Sequence, residues 1–285
     1  MIYLNGEFMP IEQAKISVLD RGFIFGDGVY EVIPAYSRRP FRLAEHLARL
    51  QASLDAIRLA NPNTNAKWSE LIGRIIAGNP WEDQSVYLQI TRGAAKRDHV
   101  LPKGLKPTVF LMATELVTPS AELMKTGAKA IVLPDFRWLR CDIKSTSLLG
   151  NCLLRTQAAD EGCAEAILVR DGELTEASAS NVFVVKHGTV LAPPKSHMIL
   201  PGITYDVVLE ILRGNAIPHE VRPVKENELR FADEVWVTSS SREVLPITTL
   251  DGKPVGSGKP GAVGARVYAL YQQYKAQVMR APVHA

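Results

Sequence analysis

Within a chain of 285 residues, a few stretches carry side chains whose types and spacing could do covalent chemistry. CDIKSTSLLGN sets Lys144 among small hydroxyl and apolar residues, after PDFRWLR and before LLGNCLLRTQAA, both apolar enough for a packed interior. A long cation in such a place either snorkels to water or is held in a pocket, where its neutral amine serves as nucleophile and proton carrier. Partial burial beside a cationic partner lowers a lysine pKa toward the working range. Further along, LTEASASNVF places Glu176 at a strand end among serines. ILPGITYDVV then opens a helix at Gly202, Ile203 and Thr204, and a helix N-terminus with free N–H groups and a hydroxyl is a ready phosphate seat. VTSSSRE adds the hydroxyls and amides of Ser239 and Ser240 at the end of another strand.

Taken singly, each has a plainer reading: a surface lysine, a turn-capping glutamate, an ordinary helix start, a loop. Together, a lysine, a carboxylate and a phosphate cradle describe a site for pyridoxal 5'-phosphate. ITRGAAKRDHV puts Arg97 and His99 two apart in a loop, so both face one ligand if the stretch is extended. An exposed basic turn is the alternative reading of that pair.

Composition narrows the classes. Hydrophobic residues make up 46% and charged residues 22%, which supports a globular core rather than disorder. A net charge of +3 without long basic runs gives no footprint for nucleic acid or a membrane surface, and points to a small-molecule partner. MIYLNGEFMP reads as neither a secretory nor a transit segment, and no apolar run approaches the ~20 residues that span a bilayer. Cys141, Cys152 and Cys163 are an odd count without CxxC spacing, against a disulfide framework or a zinc site. The expectation is a reduced, cytoplasmic protein without metal. His46, His187, His197, His219 and His284 lack ligand spacing and read as structural or surface. No G-x-S-x-G elbow suggests a serine hydrolase.

The elements that must position these residues fall into two groups. IYLNGEFM reads as a hairpin through Asn5-Gly6, and GVYEVIPAY as the next strand. Leu43, Leu47, Leu50, Leu54 and Ile57 recur at helical spacing, a second helix covers Trp68 to Ile76, and SVYLQITRG and PTVFLMATE alternate as strands. After LVTPSAE come the strand AKAIVLP, a helix from near Asn151, and the hairpins AILVRDGELTEA and NVFVVKHGTVLAPP. A helix from about Thr204 to Leu212, the strand EVWVTSS, a hairpin at Asp251-Gly252 and a helix through Val267, Leu270 and Tyr271 complete the chain. The expected division is a small domain over 1–116, a linker over 117–122 and a larger domain over 123–285.

In their order and separations, DRGFIFGDGVYEVIPAY, FRLAEHLARL, IKSTSLLGN, LTEASASNVF and LPGIT resemble the class IV aminotransferases. These are the fold type IV enzymes of pyridoxal 5'-phosphate, and the likeness runs from about residue 2 to about residue 275. The resemblance implies a mixed α/β and α+β fold: a small N-terminal α+β domain, and a larger C-terminal domain with a barrel-like β core that binds the cofactor. It implies a homodimer acting on an amino acid and a 2-oxoacid. By motif position Lys144 is the Schiff-base lysine and Glu176 the carboxylate on the pyridine nitrogen. Arg49 in EHLARL, with Ile203, Thr204, Ser239 and Ser240, corresponds to the phosphate cup, and Ser145, Thr146 and Ser178 stand where hydroxyls could orient these groups. Arg97 and His99, with Tyr30 in GVYEV, resemble the carboxylate trap of the D-amino acid branch, where the loop comes from the other subunit.

Other branches share the lysine and the glutamate. Branched-chain aminotransferases take L-substrates and typically carry a Gly-Met-Asn-like run where this chain has Ser180-Asn181; aminodeoxychorismate lyases eliminate pyruvate; (R)-amine transaminases take donors without a carboxylate. Arg97 and His99 favour a D-amino acid donor such as D-alanine, with 2-oxoglutarate or pyruvate as acceptor. Ala177, where glycine is common, and Tyr205, where a basic residue is common, depart from the family pattern.

Overall fold

A computed structural model of the chain describes residues 1–281; His284 and the end of the expected larger domain lie outside them. The chain divides into two compact units.

The first unit holds Met1–Leu116 and Ile143–Leu148. Among the described residues, its sheet runs Glu7–Met9, Ile2–Leu4, Thr108–Glu115, Gln84–Thr91, Gly28–Tyr36, Arg39–Pro40, antiparallel throughout. Asn5 and Gly6, with φ of 52° and 114°, make the first turn, since such a tight hairpin needs positive φ at both central positions. Alternation sets the two faces of the sheet. Val29, Ile33, Val86, Leu88, Ile90 and Leu111 point to one side, where the helices Leu43–Ala56 and Asn65–Ala77 cover them. Those helices meet the sheet with Leu47, Leu50 and Leu54, and with Trp68, Leu71, Ile72 and Ile75, residues at the three- and four-residue spacing of one helical face. Thr64 caps the second helix by accepting from Lys67 N–H.

Ile143 belongs to this same core. The segment carrying Lys144 therefore packs in the first unit, although the expected division places it in the larger domain. One buried isoleucine, worth roughly 1.5–3 kcal/mol of burial, draws a short stretch out of chain order.

The second unit holds Val117–Asp142 and Leu149–Ala281. Its sheet is mixed and runs His219–Val221, Thr189–Ala192, Asn181–Lys186, Glu234–Ser239, Glu243–Leu250, Ala128–Pro134, Glu165–Arg170, Glu173–Ala177. Ala128–Pro134 and Glu165–Arg170 are parallel and joined through the helix Leu149–Asp160; the two hairpins turn at Asp171-Gly172 and His187-Gly188, all four with positive φ. Ala177 N–H donates to Ser180 O at 2.7 Å, tying the last strand back to Asn181–Lys186, so the sheet curls on itself as a half-barrel. Val182, Val184, Val235, Val237, Leu245 and Ile247 fill its inner side. The helix Ile203–Gly214 packs against Glu234–Ser239, and Glu234 holds the start of the helix Ala262–Tyr274 by accepting from Val263 and Gly264 N–H at 2.9 and 2.7 Å. Among the described residues no helix is long and apolar enough to cross a membrane.

Candidate functional site

The chemistry-bearing residues divide between the units, and each group is built by its own scaffold. In the first unit, the Lys144 segment lies along the start of Gly28–Tyr36. Tyr30 N–H donates to Lys144 O at 2.9 Å, Thr146 N–H to Gly28 O at 3.0 Å, and Val29 bridges Ser145. Lys144 N–H donates to Ser53 Oγ on the first helix at 3.2 Å. The main chain around the lysine is thus fixed from both sides, and its half-buried ammonium sits 4.2 Å from the centroid of the Tyr30 ring. The Thr146 and Ser147 hydroxyls both donate to Gly26 O, so they hold the segment to its neighbour.

Behind Tyr30, Glu31 is buried on the helix side of the strand. Arg49 grips it with two bonds of 2.7 Å, from Nε to Oε1 and from Nη2 to Oε2, and His46 Nδ1 lies 2.8 Å from Oε2. Burial alone would raise the Glu31 pKa, but the Arg49 charge and these bonds hold it down at about 2. Burial also lowers the His46 pKa, so the imidazole is neutral at pH 7 and donates from Nδ1. Arg49, expected on a phosphate, is engaged along one edge by Glu31. Glu31 escaped the sequence reading because nothing in its own strand motif pairs with it, whereas His46, read as structural or surface, is the buried structural partner of that carboxylate.

Arg97 and His99 lie in an exposed loop, and the structure brings them together on one ring. The Arg97 guanidinium is 5.3 Å and the His99 ring 5.5 Å from the centroid of Phe25. Arg21 covers the same ring at 4.8 Å and donates to Asp98 O at 2.5 Å. The loop therefore has a docked conformation. Tyr30 stacks on Tyr87, with centroids 5.6 Å apart, on the opposite side of its strand from the helices.

In the second unit, Glu176 is buried at the end of Glu173–Ala177. Its Oε1 accepts from Arg137 Nη1 at 2.6 Å; its Oε2 accepts from Leu200 N–H at 3.0 Å and, at a longer 3.4 Å, from Asn181 Nδ2. Arg137 is itself held by Asp135 through Nε and Nη2, both at 2.9 Å, and Asp135 also accepts from the Thr175 hydroxyl at 2.9 Å. Burial dominates at Glu176 and lifts its pKa from the ordinary 4.5 to about 7, even with the Arg137 charge opposing it. Arg137 and Asp135 were not legible as partners, though an acid and a base two apart in PDFRW are a signal for them.

The helix Ile203–Gly214 begins on Gly202 with no side-chain cap, which leaves its first N–H groups to another acceptor. Ser239 and Ser240 close the neighbouring strand, where Ser239 Oγ accepts from Arg242 N–H at 3.1 Å. Thr238, one residue earlier, carries a buried hydroxyl with no partner among the described residues. Asn181 joins these parts: it pairs with Thr238 across the sheet, and a Cβ added to Gly202 would stand 2.0 Å from its Oδ1. Ser178 does not face outward; its hydroxyl donates to buried Glu165, which also accepts from Ser180 Oγ at 3.1 Å. Ala177 has ordinary backbone angles, so its turn has no need of glycine. Tyr205 is core, stacked 5.1 Å from Phe183 and bonded to Pro193 O at 2.8 Å.

These residues fit pyridoxal 5'-phosphate. A carboxylate offers about four lone-pair sites; three donors reach Glu176, so one site on Oε1 remains. A buried carboxyl raised to about 7 gains from a cationic N–H donor of the kind a protonated ring nitrogen provides. The uncapped helix start and the orphaned Thr238 hydroxyl supply what an anionic phosphate takes. Among the described residues no group of three or more His, Cys, Asp or Glu could hold a metal ion.

Comparison with known proteins gives the family. The family described as amino-transferase class IV matches residues 28–250. The D-alanine aminotransferase of Bacillus licheniformis is 39% identical over 271 residues, 95% of each chain. That of Listeria monocytogenes is 38% identical over 282 residues, 98% of this chain and 96% of the relative. Among solved structures, the branched-chain aminotransferase of the thermophilic archaeon Thermoproteus uzoniensis with norvaline superposes with a TM-score of 0.86 at 26% identity, covering 95% of this chain and 93% of that one. The Escherichia coli branched-chain enzyme gives 0.86 at 26%, covering 98% and 94%. The chain belongs to the class IV aminotransferases.

Proposed function

We propose that this chain is a D-amino acid aminotransferase, moving the amino group of a donor such as D-alanine to 2-oxoglutarate or pyruvate in two half-reactions with ping-pong kinetics. The observation that carries the substrate reading is the docking of Arg97 and His99 on one ring, Phe25. Two cationic or donor groups fixed together suit one carboxylate, and a guanidinium fork binds a carboxylate in a defined plane. The curated D-alanine aminotransferases at 38–39% identity support it. The branched-chain enzymes among the structural neighbours, at 26% identity, share the scaffold, and the scaffold is common to both hands of substrate.

Pyridoxal 5'-phosphate, when bound, supplies a carbonyl for the amino group and a conjugated ring that takes up the electrons of the breaking Cα–H bond. The residues of the chain do the rest. Lys144 would hold the cofactor through its amine, and that amine would serve as the carrier of the α-proton. Tyr30 N–H and Ser53 Oγ hold the lysine backbone, so the amine swings from a fixed base. Glu176 would hold the ring nitrogen and favour its protonated form, and Arg137 and Asp135 fix the plane of the carboxylate. Ile203, Thr204, Ser239 and Ser240, with Arg49, take the phosphate. Tyr30, with the Arg97 and His99 loop supplied by the other subunit, would hold the donor carboxylate. We read the working form as a homodimer, which the exposed apolar side chains Val18, Leu19, Phe23 and Val100 support.

Arg97→Ala tests the substrate reading. Arg97 is exposed in the free chain, but once a donor carboxylate and the partner subunit cover it the cleft would be partly desolvated, where removing one member of a hydrogen-bonded charge pair costs roughly 2–5 kcal/mol, or about thirty-fold or more in kcat/KM. The KM for D-alanine and D-glutamate should rise, while any trace turnover of an amine without a carboxylate should change far less. Unchanged D-amino acid kinetics would make the loop a solvated basic turn and favour the branched-chain, amine or lyase reading.

A further inference from the structure

We propose that Asn181 is a positioning residue that locks the ring-nitrogen carboxylate to the start of the phosphate-binding helix, so that one side chain sets the geometry of both ends of the cofactor. The inference rests on the cofactor reading given above and adds to it a residue that touches neither the ring nor the phosphate.

Three hydrogen bonds close a small circuit. Leu200 N–H donates to Glu176 Oε2 at 3.0 Å, Asn181 Nδ2 donates to the same oxygen at 3.4 Å, and Asn181 Nδ2 also donates to Leu200 O at 3.0 Å. The carboxylate and the main chain two residues before Gly202 are thereby held through one buried amide. The opposite atom of that amide, Oδ1, lies against Gly202, where an added Cβ would stand only 2.0 Å away. Gly202 is the cap residue of the helix Ile203–Gly214. A shift of the helix start therefore moves Leu200, and with it the donors on Oε2.

The circuit also decides which oxygen of Glu176 is open. Oε2 is filled by the Leu200 and Asn181 donors, while Oε1 carries only Arg137. Without Asn181, Oε2 would have a site of its own, and the carboxylate could present either oxygen to a ring N–H. Asn181 removes that choice. Its place is secured by the sheet, where it pairs with Thr238 across the strand that ends in Ser239, so the second phosphate-binding element is in register with the same residue.

The charged and titratable groups around this circuit are Glu176 itself, Arg137 and Asp135 after the strand Ala128–Pro134, Arg170 on its neighbour, and the buried thiol of Cys141. Asn181 is the neutral member among them. An aspartate in its place would have the same shape but turn a donor into a second carboxylate beside Oε2. While one proton is shared by that pair, one of the lost bonds returns; once both ionise, they repel.

The test is titration of pyridoxal 5'-phosphate into the full-length protein freed of cofactor, read by the visible absorbance and induced circular dichroism of the bound cofactor. Asn181→Ala should raise the Kd about ten-fold or more, equivalent to roughly 1.4 kcal/mol, and weaken the induced dichroism. It should also reduce competition by inorganic phosphate, because the helix start loses its stop. Asn181→Asp, of nearly the same shape, is the second variant and is compared at the acid end, where one proton is shared by the two carboxyls. Its Kd should lie near that of the wild type at the acid end and rise with pH, a rise the wild type lacks; a merely structural asparagine predicts no such added pH dependence. Folded Asn181→Ala with an unchanged Kd and dichroism, or Asn181→Asp that follows the wild-type pH profile, overturns the inference alone. A wild-type protein that takes up no pyridoxal 5'-phosphate overturns the cofactor reading and the inference with it.

Discussion

Lys144→Ala is expected to abolish transamination and leave the fold intact. On the proposed reading one amine would both anchor the cofactor and carry the proton, and proton transfer by a positioned side chain alone contributes roughly 10²–10⁴-fold; loss of the covalent role would add to that. The fold survives because the segment is held by its main chain, through Lys144 N–H to Ser53 Oγ and Tyr30 N–H to Lys144 O, and alanine keeps both bonds. The side chain's seat over Tyr30 at 4.2 Å is lost, a contact of a kind worth about 0.5–1 kcal/mol at a partly exposed site. Turnover and melting temperature, measured together, check both halves. Normal turnover without added amine would remove the lysine from the chemistry.

Glu176→Gln comes next in expected effect. An amide cannot stabilise a protonated ring nitrogen as a carboxylate does, and hydrogen bonds to an ionised partner are roughly twice as strong as neutral ones. Removal of the α-proton should slow by orders of magnitude in single-turnover kinetics while the cofactor still binds. Arg137 keeps its two bonds to Asp135, so the network does not collapse.

The same substitution has a stability signature in the cofactor-free protein. The folded pKa of Glu176 is raised by burial, from the ordinary 4.5 to about 7. Between these values the folded state binds the proton that the unfolded state has lost. Stability therefore falls as pH rises through this window, by on the order of 3 kcal/mol at most. Glu176→Gln should lack that fall, so its melting temperature should gain on the wild type from about pH 4.5 to pH 7. Parallel curves would place the carboxyl in a more open setting than the structure gives it.

How much could be read from the sequence depends on what kind of signal each residue leaves. Leu43 to Ile57 and GVYEVIPAY declare their periods, because burial on one side is written directly in apolar spacing; helix Leu43–Ala56 and strand Gly28–Tyr36 follow. The two glycine hairpins of the second unit were equally plain, since Asp171-Gly172 and His187-Gly188 take positive φ. The helices Ala121–Thr126 and Glu226–Arg230 were not, being too short for a periodic signal. Nor was the return of Ile143 to the first core, which chain order hides.

Within the site, Lys144 stood out because a cation among apolar and hydroxyl neighbours conflicts with its surroundings. Glu176 stood out through its motif. Their supports did not. Arg137 reaches Glu176 from a different strand connection, Leu200 contributes only a backbone N–H, and Asn181 reads only as the first residue of a hairpin strand. Contacts of this kind are made by the fold and have no local period. Arg49 shows the converse: its motif was visible, but the two bonds that Glu31 takes from it came only with the packing of helix on strand.

The donor specificity of a single half-reaction tests the central claim most directly. The purified protein loaded with pyridoxal 5'-phosphate would be mixed separately with D-alanine, L-leucine and (R)-1-phenylethylamine, with no oxoacid present, and the visible absorbance of the cofactor followed. D-alanine should bleach it, with pyruvate released in equal amount, while the other two leave it nearly unchanged over the same time. Bleaching by L-leucine or by the amine, with D-alanine inert, would contradict the D-amino acid reading and with it the role given to Arg97 and His99.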